Sequence, residues 1–375
     1  MLPTYPESRR RAFARNLLRN GLGLTRGENL LVETWSATLP WAISLTAEAR
    51  TIGARPLLSV KDEPTYWRSV AEGATSQIGR VGDHEWAALR ASDVYVYLYG
   101  PLDTVREESL PQAAVRRAES NNHELMRVLQ KHGVRTARWD LGRTSELWAK
   151  RYGVGLHTWR EELISASLID PQAMRRAGRP IGQKLEAGHT ATITHPNGTS
   201  LALRLARRRA KLDDGVIDAD DLRSGNVIMV VPSGVASVTP AETYAEGSFV
   251  SNATGVLYAR NRETPLSPGR WVFEDGGLVG YDRARAGKEL GLALSELDNP
   301  RVPPGQLSVG LNPRISRIPL LFDQERGAIT FEIGRNAPMG GRSRTPRLMA
   351  YLPLRGGSLE VDGEPLVRRG ELVAG

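Results

Sequence analysis

The residues able to do acid–base, nucleophilic or metal chemistry are spread unevenly along this chain. Its six histidines end at His195 and it has no cysteine, so residues 196–375 hold neither imidazole nor thiol. Zinc, cobalt and iron(II) sites draw heavily on imidazole nitrogen, and Ser-His-Asp or Cys-His catalysis needs at least one of the missing groups. Carboxylates, phenols and guanidinium groups are left to do the work there. The acids there include Glu242, Glu246 and Glu332, and the phenols include Tyr351, a type of group able to act as an acid or hydrogen-bond donor. Alternate side chains of a strand point to opposite faces, so Thr330 and Glu332 share a face that Phe331 does not. Arg335, Arg342, Arg344 and Arg347 cluster just beyond them. Such a group suits a carboxylate or phosphate bound bidentately, or, on the structural reading, pairs with Glu332 or lies in solvent.

The histidines themselves read as structural. His84 and His132 lie near helix ends, His123 follows Asn121-Asn122 at a capping position, and His157 opens a helix before Trp159. His189 and His195 flank one strand. Composition sets further bounds. At 375 residues, 40% hydrophobic and 25% charged, the chain is long enough for two or three globular domains. No apolar run approaches the length of a membrane span, and the start, MLPTYPESRRRAF, does not read as a secretory signal. A cytoplasmic protein is the expectation. The net charge of +8 is carried by short clusters, Arg9 to Arg11 and Arg207 to Arg209 with Lys211, without interleaved aromatics. Neither nucleic acid nor membrane is an expected partner.

The elements that must position these groups fall into two patterns. Over residues 1–169, helical stretches at 8–20, after Pro40, 110–131, 144–151 and 158–167 alternate with strands at 30–33, 56–60, 93–99 and 134–139. That alternation predicts an α/β domain with a parallel sheet covered on both faces. No glycine-rich phosphate loop follows any of its strands. Residues 170–183, rich in Pro, Gly and Arg, read as a linker. From 184 to 375 strands dominate: 190–195 and 200–205 around the turn Pro196-Asn197-Gly198, then 226–231, 255–260, 271–273, 328–333, 348–354 and 359–361, with one helix at about 283–297. This predicts an α+β domain with a mainly antiparallel sheet.

An ordered series of short motifs runs through the second part. It comprises Val231-Pro232-Ser233-Gly234, Thr239-Pro240-Ala241-Glu242 with Glu246-Gly247, Gly305 to Pro313, Gly327 to Gly334, Gly340-Gly341, and Leu359 to Gly363. With Leu24 to Val32, Ala49 to Pro56 and Thr192 to Leu201, the series resembles the aminopeptidase T / aminopeptidase S metallopeptidases and the related 2,5-dihydroxypyridine dioxygenases. The resemblance implies that two-domain fold, a homodimer, and two metal ions between a few ligands. It places those ligand positions at Val235, Gln306 and Thr330, and at Met349 and Tyr351 to within about one residue. No acid or imidazole stands at any of them, and 337–357 contains no His, Asp or Glu. Gln306 keeps the shape of Glu without its charge.

The expected function is therefore an aminopeptidase-like protein that has lost its dinuclear site. It binds a small amino-acid- or peptide-like ligand, anionic on account of the arginines, with metal-independent catalysis as an extension. Glu332 and Tyr351 are the catalytic candidates, Gln306, Thr330, Arg335, Arg342 and Arg344 the binding candidates, and no metal or cofactor is expected. The rival readings are a metal-dependent hydrolase with relocated ligands and a regulatory pseudoenzyme that pairs with an intact paralogue.

Overall fold

The computed structural model of the chain describes residues 5–73, 78–259, 262–282, 290–295, 297, 301–316, 321–343 and 348–373. The chain divides into two compact units, residues 1–172 with 215–233, and residues 173–214 with 234–375.

The first unit alternates helix and strand as α1 Glu7–Arg15, β1 Asn29–Trp35, α2 Leu39–Ile52, β2 Arg55–Lys61, α3 Glu63–Glu72 and α4 Asp83–Arg90. It continues with β3 Val94–Leu98, α5 Gln112–His132, β4 Arg135–Trp139, α6 Glu146–Tyr152 and α7 Leu156–Ala166. Local chemistry sets these boundaries. Pro40 stands in the first turn of α2, where its missing N–H costs nothing, and Gly53 ends that helix with a left-handed φ of 90°. Phe13 of α1 stacks on Trp139 at 4.1 Å, and Trp41 of α2 meets both rings edge-on. This aromatic cluster buries the apolar stripe of α1.

The chain then forms α8 Pro171–Ala187, β5 Thr190–His195, β6 Thr199–Leu205 and β7 Lys211–Asp213 before α9 Ala219–Ser224 and β8 Ile228–Val231. Two expectations are corrected here. The supposed linker at 170–183 is mostly helix. Pro171 opens it, and Met174, Ile181 and Leu185 lie buried along one stripe despite Pro180 within the helix. Gly178 lets the helix pack close, since a Cβ there would come within 2.6 Å of the terminal methyls of Leu212 and Leu311. The strand at 226–231 does not join the antiparallel part. β8 pairs parallel with β4 and completes a five-stranded sheet ordered β2-β1-β3-β4-β8.

The remaining strands are β9 Val235–Val238, β10 Pro240–Val250, β11 Gly255–Ala259, β12 Arg262–Leu266, β13 Arg270–Glu274 and β14 Gly277–Tyr281, then β15 Pro304–Gly310 and β16 Ile329–Gly334. They end with β17 Leu348–Leu354, β18 Ser358–Val361, β19 Glu364–Arg368 and β20 Glu371–Leu372. The helix expected at 283–297 is helical over 290–295; residues 283–289 and 296 lie outside the described residues, as does Arg260 of the expected strand 255–260. The second unit has an eight-stranded sheet ordered β14-β13-β10-β6-β5-β18-β19-β20 and a seven-stranded one ordered β12-β11-β17-β16-β15-β9-β7. Among the described residues, the strand pairings of these two sheets are antiparallel. Their facing side chains make one apolar core in which Phe331 of β16 touches Phe249 at 5.7 Å and Phe273 at 5.3 Å between ring centres. Sheet-on-sheet burial of this kind is what fixes strand register, since a one-residue slip would turn Phe331 out of the core.

Candidate functional site

The face of the seven-stranded sheet away from that core carries the expected residues. Along one row Ser237 of β9 stands opposite Ser308 of β15, which stands opposite Thr330 of β16 and then Pro353 of β17. Two residues on, Glu332 is opposite Tyr351, which is opposite Val256 of β11. The alternation read from β16 holds: Phe331 is in the core, and Thr330 and Glu332 share the other face. That face is also enclosed. Ser237, Ser308, Thr330 and Glu332 are each at most 5% exposed.

The cover is formed by residues 311–316 and 321–326. Asn312 N–H donates to the Gln324 carbonyl at 2.8 Å, Arg326 N–H donates to the Asn312 carbonyl at 3.1 Å, and Phe322 packs on the Tyr351 ring at 5.9 Å. Gly234 of the Pro-Ser-Gly turn has φ 133°, and a Cβ there would lie 2.7 Å from that of Asn312. Two of the motifs noted in the sequence are thus packed against each other to hold the cover in place.

Glu332 is the anomaly of the site. Neither of its carboxyl oxygens has a hydrogen-bond partner, and the Thr330 hydroxyl beside it lacks one too. Gly305 of β15 lies so close that a Cβ would sit 3.1 Å from Glu332 Cγ, so the stem of that side chain lies against the β15 backbone. Burial pushes the carboxyl up to about 8, with the nearby charge of Asp323 adding to the rise. The Tyr351 hydroxyl is near enough to oppose that rise in part, yet neither carboxyl oxygen has it as a partner at ordinary hydrogen-bond length. Asp323, in the cover, is raised to about 7 by burial and then by Asp213. The Tyr351 phenol is raised well above its usual value by burial and by Glu332. Asp323 thus stands in electrostatic reach of Glu332 on one side and of Asp213 on the other, a coupling that favours protonation of at least one carboxyl near neutrality.

The other candidates divide. Gln306 is half-buried at the irregularity where β15 slips register against β16 between Pro304 and Leu307. Arg335 is half-buried, and its backbone N–H donates to Leu348. Arg342 is exposed and donates its backbone N–H to Glu242. Neither guanidinium pairs with Glu332; Arg344 and Arg347, the other partners expected for it, lie outside the described residues. Glu242 is consumed by structure. It accepts from Arg208 at 2.7 Å, Arg342 and Asn336, and burial is outweighed by these donors, so its carboxyl is lowered to about 2. Glu246 accepts from Asp275 N–H at 2.6 Å. Asp323, Phe322 and Asp213 were not legible as site residues. Asp323 lies in an irregular segment without periodicity, and only the folded chain brings it over β16.

No family model and no curated protein sequence matches the chain. Its fold does match solved structures. The 2,5-dihydroxypyridine dioxygenase from Pseudomonas putida KT2440 is 16% identical, with 99% of each chain covered and a TM-score of 0.65. Wild-type AmpT from Thermus thermophilus is also 16% identical, with 98% of this chain and 99% of that chain covered and a TM-score of 0.69. The chain has the aminopeptidase T fold. Identity this low speaks for architecture and leaves chemistry to the site itself.

For the aminopeptidase T-like chain, the two metal ions implied by the resemblance can be tested against the donors present. Val235, Gln306, Thr330, Met349 and Tyr351 supply no carboxylate, imidazole or thiolate. Among the described residues no group of three or more His, Cys, Asp or Glu is placed to hold a metal. The donor set does not fit a dinuclear centre, whose hard divalent ions need several charged oxygens or imidazoles each.

Proposed function

We propose that the chain is an aminopeptidase-like protein in which Glu332, and not a metal pair, receives the amino group of a small amino-acid- or peptide-like ligand. The observation that carries this reading is the buried Glu332 carboxyl with both oxygens unpartnered. An unpaired buried carboxyl costs free energy that a matching donor returns, and a protonated amine supplies both the donors and the charge. Asp323 nearby also favours a cation. The charge preference inferred from the arginines therefore reverses at this end of the pocket, since Arg335 and Arg342 do not reach Glu332. Thr330 offers a hydroxyl to the same ligand, and Gln306 is next to it along the sheet.

A carboxyl raised to about 8 is mostly protonated at neutral pH. Binding an ammonium group then displaces that proton: the carboxylic acid loses it to solvent and the carboxylate accepts from the amine. Glu332 is thus the proton-carrying group of the pocket, and Tyr351 the phenol that stands beside it. Metal-independent acid–base catalysis would use this pair, because a group titrating near the working pH both gives and takes a proton readily.

Calorimetric titration of chelator-treated protein tests the reading. Leucinamide, an amine without a carboxylate, is expected to bind with a heat that changes between phosphate and Tris buffers, reporting proton release. Glu332→Gln weakens it at least tenfold, roughly 1.4 kcal/mol. Preferential binding of N-acetyl-leucine would overturn the amine assignment in favour of the anionic one. Stoichiometric zinc, cobalt or iron in untreated protein would favour the relocated-ligand hydrolase.

A further inference from the structure

The parallel sheet of the first unit has its own opening. β1 is flanked by β2 on one side and β3 on the other, so the chain leaves β1 in one direction and leaves β2 in the other. With right-handed crossovers the connecting helices fall on opposite faces, and a crevice opens beyond the carboxyl ends of the strands at that switch point. A pocket of about 670 Å³ occurs there. Its walls come from the residues directly after β1, β2 and β3, including Ala37, Pro64, Leu102 and Arg106, with Trp67 from α3.

The polar groups of this pocket are mostly engaged already. Asp62 caps α3, accepting from Thr65 N–H at 3.1 Å and from the Thr65 hydroxyl at 2.8 Å. Glu63 accepts from the Leu102 and Asp103 N–H groups and from the Trp67 indole at 3.0–3.2 Å. This ties the loop after β3 to the start of α3 and holds the walls in fixed relation. Arg68 is paired with Glu72. Arg106 is different. Its guanidinium lies over the Trp67 ring at 4.7 Å from the centroid, and among the described residues no carboxylate pairs with it. Behind this stack, Tyr66 meets Trp67 at 4.8 Å and Trp35 at 5.3 Å, so the indole cannot swing away.

We infer that this crevice is a second ligand site, separate from Glu332, for a small molecule with a flat apolar body and an anionic group. The apolar body would lie among Ala37, Pro64, Leu102 and the Trp67 indole. Its anionic group, a carboxylate or a phosphate, would take the two-pronged hydrogen bonds that Arg106 has free while still stacked. Volume and lining suit a drug-sized molecule, whose pockets are mainly apolar with a few oriented polar groups.

Calorimetry on the full chain at low salt tests the site with 2-naphthoate, 2-naphthyl phosphate and 2-naphthylmethylamine. Saturable binding of the naphthoate or the phosphate is expected, and the tighter of the two identifies the anionic group. Arg106→Gln is expected to weaken that probe at least tenfold, Arg106→Lys less, and Arg68→Gln less than threefold. Glu332→Gln is expected to leave it unchanged, which separates this result from the fate of the Glu332 reading. Absence of saturable binding by either anion up to millimolar concentration overturns the inference, as does equal binding by Arg106→Gln or by the amine probe.

Discussion

Glu332 sets the balance between stability and function at this site. Its ionised form is disfavoured in the fold, and the same holds for Asp323. For such groups the stabilising contribution is complete below the unfolded carboxyl values, 4.5 for Glu332 and 3.8 for Asp323, and disappears as pH rises through 7 to 8. The melting temperature should fall between pH 5 and pH 9. Glu332→Gln should flatten that profile and be more stable than the parent at pH 9, by on the order of a few kcal/mol. A profile unchanged by the substitution would show that Glu332 is ionised without penalty. Thr330→Val removes a buried hydroxyl that has no partner. It should raise the unfolding free energy by about 1 kcal/mol while weakening leucinamide, the pattern of a polar group kept for a ligand. The residue-level reading of the sequence succeeded where one strand's alternation decided the matter, at Thr330, Phe331 and Glu332. It failed for Asp323, which reaches the site through tertiary folding of an irregular segment.

At the level of elements, legibility followed local periodicity. The alternation of helix and strand in residues 1–169 was readable because each segment carries its own apolar pattern and cap. α8 was not, because Pro180, Gly178 and three arginines mask a stripe made of Met174, Ile181 and Leu185. That stripe should dominate its energetics. Ile181→Ala or Leu185→Ala should cost about 2–5 kcal/mol in denaturant unfolding, whereas Pro180→Ala should stabilise by up to about 3 kcal/mol. A destabilising Pro180→Ala would mean that the proline, and not the stripe, fixes the helix. Several strands escaped notice because they are short or irregular. β7 has three residues and β20 two, and β15 slips register beside Gly305. β8 was seen as a strand, but nothing in Ile228 to Val231 states which sheet it will join.

At the scale of the whole molecule, the fold can be recognised at 16% identity because it depends on sheet order, turn glycines and a core pattern that many sequences satisfy. The chemistry does not follow, since a handful of positions on one sheet face carries it. The units are also interlaced. Residues 215–233 return to the first unit after 173–214 have begun the second, and they bring its last strand. A chain ended at residue 172 therefore leaves β4 with an unpaired side. It should aggregate or bind a hydrophobic dye, whereas the same segment joined by a short linker to residues 215–233 should be monomeric by light scattering.

That interlacing also bears on how the protein is born. The ribosome must deliver about 60 further residues after 172 before β8 exists. At ordinary synthesis rates of roughly 5–20 residues per second, the nascent parallel sheet waits about 3–12 s for its final member. Throughout that interval its open flank is within reach of chaperones and of neighbouring nascent chains, which makes the order of translation a determinant of yield.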